Sequence, residues 1–257
     1  MISYCMTLKN RANLLDNHLD NLKEQTFPTQ EIQLCISDGG SSDNVRDVIL
    51  KHSDAFGRVL FCTSDRSALP FVIPSNNPTC DKNALVASLA SDGIVILTDP
   101  EVCWTRRESI SDLVSQLSTT RHWASIPTYI GNSGHIGLGY IDINSSMHKG
   151  VYSGCGFCLC FHKEMFVERR GFEERFVMGY ACDDVYFCDS WRRDLSEVVT
   201  DERVFHHWHD DKHLLKKNQQ LLEHNLVVAR ELNGSMPNIG NDNWQRPEMI
   251  HSIEEIK

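Results

Sequence analysis

An α/β fold with a mostly parallel central sheet is the architecture predicted by this chain of 257 residues. Three observations predict it. Strand-like and helix-like patterns alternate through the first hundred residues, as in sheets whose helices cover both faces. The apolar run Gly93-Ile-Val-Ile-Leu-Thr-Asp-Pro-Glu101 stops abruptly in a carboxylate, a proline and a second carboxylate, where open α/β sheets hold their ligands. The hydrophobic share of 41% and charged share of 23% are those of a soluble globular enzyme, which sets disordered and fibrous classes aside.

The elements follow in order. Ile2 to Leu8 reads as a strand, and Leu14, Leu15, His18, Leu19 and Leu22 mark one face of a helix. Glu31 to Ser37 is a second strand, broken by the turn-rich Asp38-Gly-Gly-Ser-Ser-Asp43 before another helix, with Asp43 a candidate cap. Val59 to Thr63 is a third strand, and Asp81 to Ala90 a helix leading into the strand that carries Asp99. Thr105-Arg-Arg-Glu108 has the form of a capping box for a helix reaching about Leu117. Val151 to Phe161 reads as one buried strand entered through Gly154 and Gly156, Asp183 to Arg193 as a helix, and Asp211 to Leu232 as an amphipathic helix ending at Gly234. Residues 1–234 are expected to form one domain, with a division into two halves at about 104. Residues 235–257 read as a polar tail or lid.

The formal charge of -10 argues against a general nucleic-acid binder, which neutralises phosphates with clustered Lys and Arg. The ten cysteines lie mostly in apolar runs rather than in a loop-rich disulfide framework. Cys155, Cys158 and Cys160 are close together, but no second cluster completes a zinc site. The N-terminus lacks the basic start and long apolar region of a secretory signal, and no apolar run approaches the roughly 20 residues that span a bilayer. A cytoplasmic protein is expected, with no transmembrane segment and with room for peripheral membrane contact.

Four polar pieces fall along one predicted sheet edge: Thr7-Leu-Lys-Asn-Arg11, Ser37-Asp-Gly-Gly-Ser-Ser-Asp43, Asp81-Lys-Asn83 and Asp99-Pro-Glu101. Downstream come Gly154-Cys-Gly-Phe157, Arg170-Gly-Phe-Glu-Glu-Arg-Phe176, Cys182-Asp-Asp184 and His206-His-Trp-His209. This order resembles the GT-A nucleotide-sugar-binding fold of family 2 glycosyltransferases, across nearly the whole domain. The departures are Gly39 for the second acid of the "D-D-G-S-x-D" turn, Glu101 for the second aspartate of "D-x-D", and Asp183 for the glutamate of "E-D".

The resemblance implies a glycosyltransferase that uses a nucleotide-diphosphate sugar, with a uridine nucleotide favoured, and transfers to a glycan or glycolipid hydroxyl with inversion. Asp99 and Glu101 are the expected metal ligands, joined by His209 or His206. Mixed carboxylate and imidazole ligation suits Mn2+ better than Mg2+. Thr7, Arg11, Asp38, Lys82, Asn83 and Asp99 are expected at the donor, with Asp38 nearest the base. Asp184 is the candidate general base, and Asp183 would orient the acceptor or raise its neighbour's pKa. Trp191 reads as core, while Trp208 and Trp244 are candidate sugar contacts, and Arg192 and Arg193 a solvated face or an acceptor phosphate site. Two rivals remain: a sugar nucleotidyltransferase, whose phosphate loop after the first strand would carry glycine where Thr7 to Arg11 has none, and a non-catalytic nucleotide-sugar-binding module.

Overall fold

The computed structural model describes residues 1–69, 77–117, 119–131, 148–152, 156–207, 219–233 and 235–257. Its core is a parallel quartet, β1 (Ile2–Leu8), β2 (Ile32–Asp38), β3 (Arg58–Ser64) and β4 (Ile94–Thr98), lying side by side as β3-β2-β1-β4. Helices α1 (Ala12–Lys23), α2 (Val45–His52) and α3 (Thr79–Leu89) connect them. Successive strand residues face opposite sides. Tyr4, Met6, Leu34 and Ile36 pack with Leu15, Leu19 and Ile49, whereas Cys5, Cys35, Val95 and Leu97 face the opposite layer with Leu85, Val86, Phe166 and Trp191. Both faces of the sheet are therefore dry, and the cysteines fill it as small apolar side chains. The described cysteines are free thiols, and all but Cys182 are buried.

Beyond the acidic turn come β5 (Val102–Trp104) and α4 (Ser109–Gln116). No capping box forms at Thr105. Its hydroxyl donates to the Arg203 carbonyl at 2.9 Å, and the helix starts at Ser109. Strands β6 (His122–Ser125), β7 (Thr128–Gly131), β8 (His148–Tyr152) and β9 (Cys158–His162) follow, then α5 (Lys163–Glu168) and α6 (Asp183–Arg192). Strands β10 (Ser196–Glu197) and β11 (Val204–His207), helix α7 (Gln219–Leu232) and strand β12 (Ile250–Glu255) complete the chain. The large sheet runs β10-β6-β9-β4-β1-β2-β3-β12, and a smaller one runs β5-β11-β7-β8. The single strand expected over 151–161 is thus two strands in different sheets. Of the helix expected over 211–232, residues 219–232 are described and helical.

The polar tail expected after residue 234 is instead built into the body. Trp244 is 4% exposed and packs its ring 5.9 Å from that of Phe166. The Arg246 guanidinium pairs with buried Glu174 at 2.7 Å, and β12 adds antiparallel to β3. Single anchoring residues hold this segment, which is why no periodic pattern announces it. Trp244, buried in the core, is not placed as a mobile sugar contact. Trp191 is fully buried, as its helical spacing predicts.

Candidate active site

Strand register assembles the carboxyl edge of the sheet. Leu8 pairs with Asp38, Asp38 with Thr63 and Met6 with Thr98, so β1, β2 and β4 end together and release their loops at one rim. The first two loops are stitched to each other. Asn10, in the left-handed region at φ 53°, accepts from the Ser42 amide at 2.7 Å and donates its own amide to Ser41 Oγ at 2.8 Å. Asp43 caps α1 rather than its own helix, accepting from the Ala12 amide at 2.9 Å. Arg11 is thereby fixed at the start of α1, pointing across the rim to Glu101.

Backbone bonds lock the acidic turn. The Asp99 amide donates to the Phe157 carbonyl at 3.2 Å, and the Glu101 carbonyl accepts from the His207 amide at 2.8 Å. Glu101 is 6% exposed and bound through one carboxylate oxygen to Arg11 Nε. Among the described residues, the cation paired with Asp99 is the Lys82 ammonium, at 3.9 Å. Lys82 is itself buried on the first turns of α3, and Asp99, Asp183, Asp184 and Glu101 all act on its charge. Burial pulls the Lys82 pKa down, but these four carboxylates outweigh it and hold the ammonium protonated. Asp99 is pushed up to about 7 by burial against the pull of Lys82, with Glu101, Asp184 and Asp183 adding to the rise. Among the described residues, four carboxylates thus share two basic side chains. That deficit of positive charge fits a divalent cation, and hard oxygen donors are the right ligands for one.

The acidic pair Asp183-Asp184 starts α6 after two consecutive left-handed residues, Ala181 at φ 57° and Cys182 at φ 72°. Each such residue without glycine costs on the order of 1–3 kcal/mol. Asn225 of α7, fully buried, steadies the turn by donating to the Ala181 and Phe176 carbonyls at 2.7 and 3.0 Å. Asp183 is the anchored member, with Asn77 Nδ2 at 3.3 Å and Thr79 Oγ1 at 3.4 Å. Burial and then the Asp184 charge push its pKa up to about 6. The expected like-charge effect thus acts on Asp183, because Asp183 is the deeper group. Asp184 is less buried, and its Oδ2 accepts from the Gly156 amide at 3.0 Å. A Cβ at position 156 would overlap Asp184 Cβ, so only glycine admits this approach.

Other expected residues fall less simply. Thr7 Oγ1 is buried at the rim with no hydrogen-bond partner among the described residues. Asp38 is 7% exposed, and its carboxylate closes the turn by accepting from the Ser41 amide at 3.0 Å and from Ser41 Oγ at 2.6 Å. Asn83 is fully buried with its amide engaged by the Phe172 backbone, at 2.9 Å as donor and 2.8 Å as acceptor. It holds the turn before Phe172 instead of reaching the rim. His206 lies on β11 beside the acidic turn, its ring 4.6 Å from Phe157. Among the described residues, Asp99, Glu101 and His206 do not bring three ligand atoms within 4.8 Å of one another. Such a group does occur at Asp16, Asp20 and His52 on α1 and α2, where Lys51 and Lys23 already pair with the carboxylates at 2.7 Å. His209, Trp208, Gly154 and Cys155 lie outside the described residues. Arg192 is an ion-paired surface group, 2.7 Å from Glu197. Sequence reasoning missed Asn77 and Thr79; the only signal was an Asn-Pro turn ahead of α3.

No protein-family model and no curated relative matches the chain. Solved structures do. S. aureus TarS residues 1–349 in complex with UDP-GlcNAc matches at TM-score 0.61 and 16% identity, over 95% of this chain and 70% of that one. Mannosyltransferase PcManGT from Pyrobaculum calidifontis, in complex with GDP-Man and Mn2+, matches at TM-score 0.60 and 15% identity, over 95% and 69%. GalNAc-T7 with UDP, GalNAc and Mn2+ matches at 0.56 and 15%, over 81% and 44%. The chain has the GT-A fold. Against the longer TarS chain it spans 41% of the length. Among the described residues, no helix is long and apolar enough to cross a membrane.

Proposed function

We propose that this chain is a metal-dependent glycosyltransferase that moves a sugar from a nucleoside-diphosphate donor to a hydroxyl of a glycan or glycolipid, with inversion. The observation that carries this reading is the convergence of Asp99, Glu101, Asp183 and Asp184 on Lys82 at the carboxyl edge of the parallel strands. Asp99 and Glu101 would hold Mn2+ or Mg2+, with His206 or His209 as the imidazole candidate. The bound ion would supply a counter-charge for the diphosphate leaving group. Lys82 and Arg11 add positive charge to the same side, and the buried Thr7 hydroxyl, without a hydrogen-bond partner among the described residues, is a further candidate for the donor. Asp38, rigidly turned by Ser41, is the candidate for the N–H edge of a base. Similar folds bind UDP-GlcNAc and GDP-Man, and a carboxylate at this position suits the N–H groups of uracil and of guanine alike.

Asp184 is the proposed general base. It is the more accessible aspartate, its orientation is fixed by the Gly156 amide, and the acceptor hydroxyl would transfer its proton there while attacking the anomeric carbon. Asp183, held by Asn77 and Thr79, would orient the acceptor. Calorimetry with UDP, with and without Mn2+, followed by mass analysis of donor turnover, tests the reading. Metal-dependent UDP binding together with sugar transfer or donor hydrolysis is expected. Turnover of a nucleoside triphosphate with a sugar phosphate would make the chain a nucleotidyltransferase instead, and binding without turnover would leave a binding module.

A further inference from the structure

The two expected metal carboxylates are not equivalent in this structure. Among the described residues, Asp99 is poorly compensated, with its nearest cation 3.9 Å away, whereas Glu101 is 6% exposed and engaged by Arg11 Nε. Arg11 is only partly buried, its side chain 31% exposed, and it hangs from a loop pinned by Asn10, Ser41 and Ser42. Its guanidinium can swing while its backbone stays in place. Resting on the proposed donor site, we infer that Arg11 is an exchangeable counter-ion. It occupies Glu101 while no divalent cation is bound, and it passes to the donor diphosphate when Glu101 turns to the metal.

The exchange couples two ligands through one side chain. A metal that takes Glu101 frees a guanidinium for phosphate, and a phosphate that takes the guanidinium frees Glu101 for the metal. Because coupling between binding sites is reciprocal, each ligand then raises the affinity of the other beyond their direct contact. It also explains why Asp99, Glu101 and His206 fall short of a ready three-ligand cluster: Glu101 is drawn toward Arg11. Lys82 is not a second exchanging group. It is buried, lies 5.4 Å from the Phe172 ring centre, and sits 3.9 Å from the Asp99 carboxylate.

The test is Mn2+ titration without nucleotide, read by electron paramagnetic resonance of the free ion. It compares wild type, Arg11→Met, Glu101→Gln, the double variant and Lys9→Met, with circular dichroism confirming the fold and Arg11→Gln as the substitute if Arg11→Met is unfolded. Arg11→Met is expected to bind Mn2+ about tenfold more tightly than wild type, the scale of one charged hydrogen bond. That gain should vanish in the Glu101→Gln background, because the pair being broken is no longer there. Lys9→Met removes an exposed cation from the same loop and should change Mn2+ affinity less than about twofold. In a second arm, Arg11→Met should weaken UDP binding at saturating Mn2+. Unchanged or weaker Mn2+ binding by Arg11→Met, or an equal gain in the Glu101→Gln background, overturns the exchange. Wild-type protein that takes up no Mn2+ overturns the proposed metal-dependent donor site instead.

Discussion

The sheet rim and the turn that opens α6 place their carboxylates by different means. At the rim, strand register does the placing: Thr7, Asp38 and Asp99 arrive together because β1, β2 and β4 end together. At the α6 turn, Asp183 and Asp184 follow two left-handed residues and are held by side chains from afar, Asn77 just before α3, Thr79 at its first position and Asn225 on α7. The rim is therefore set by the fold itself and the α6 turn by a few replaceable anchors. Substitutions at the rim should alter what binds, and substitutions at the anchors should alter what happens afterwards.

The largest effect expected is on the base. Asp184→Asn should lower transfer by about 10²–10⁴-fold while UDP binding in Mn2+ stays within about twofold, as measured by product mass and calorimetry. A parallel loss of UDP affinity would break the division between the two sides. Asp99→Ala should show the reverse dependence, losing about a hundredfold of the metal-dependent UDP affinity. Next, Asn77→Ala should reduce kcat about tenfold with little change in UDP affinity, because Asp183 loses one of its holders. A matching loss in donor binding would place Asn77 at the rim instead.

A smaller effect sharpens the contrast through pH. The Asp99 carboxyl is raised to about 7 in the folded protein, so between about pH 4 and 7 the folded metal-free state keeps a proton that the unfolded state has released. This contribution to stability is present below pH 4 and is lost as pH rises through 7. Asp99→Asn should accordingly match wild type near pH 4 and exceed it by on the order of 2 kcal/mol above pH 7, a value discounted because the side chain is 24% exposed. Denaturant unfolding in chelator, repeated across that range, gives the answer. Saturating Mn2+ should erase the difference. Gly156→Ala should cost about 1–3 kcal/mol by overlapping Asp184, and should lower transfer more than donor binding.

The same contrast decides what could be read from the residues alone. Strands and motif order were legible because buried parallel strands leave apolar runs and their loops begin where those runs end. Asp99, Lys82 and Arg11 were found that way. Asn83 looked like a donor contact because it sits beside Lys82, yet its amide serves Phe172; successive residues on a helix point in different directions, and only the packing tells which one faces the rim. The split of 151–161 was invisible because one apolar run can feed two sheets. The partners of Asp183 were hidden because neither hydrogen bond obeys any sequence period: Asn77 and Asp183 are 106 positions apart. The C-terminal segment was misjudged for a similar reason, since Trp244 and Arg246 anchor it one residue at a time.

The strand contributed by that segment also bears on how the molecule is made. Arg58 on β3 pairs with Glu255 on β12, 197 positions later, so during synthesis from the N-terminus the outer edge of β3 stays open until β12 has emerged. Nascent chains stalled before β12 would expose an unpaired strand to neighbours and should depend on chaperones to avoid clumping. Emergence of β12 is then a maturation step, the point at which a sticky intermediate acquires a covered sheet edge.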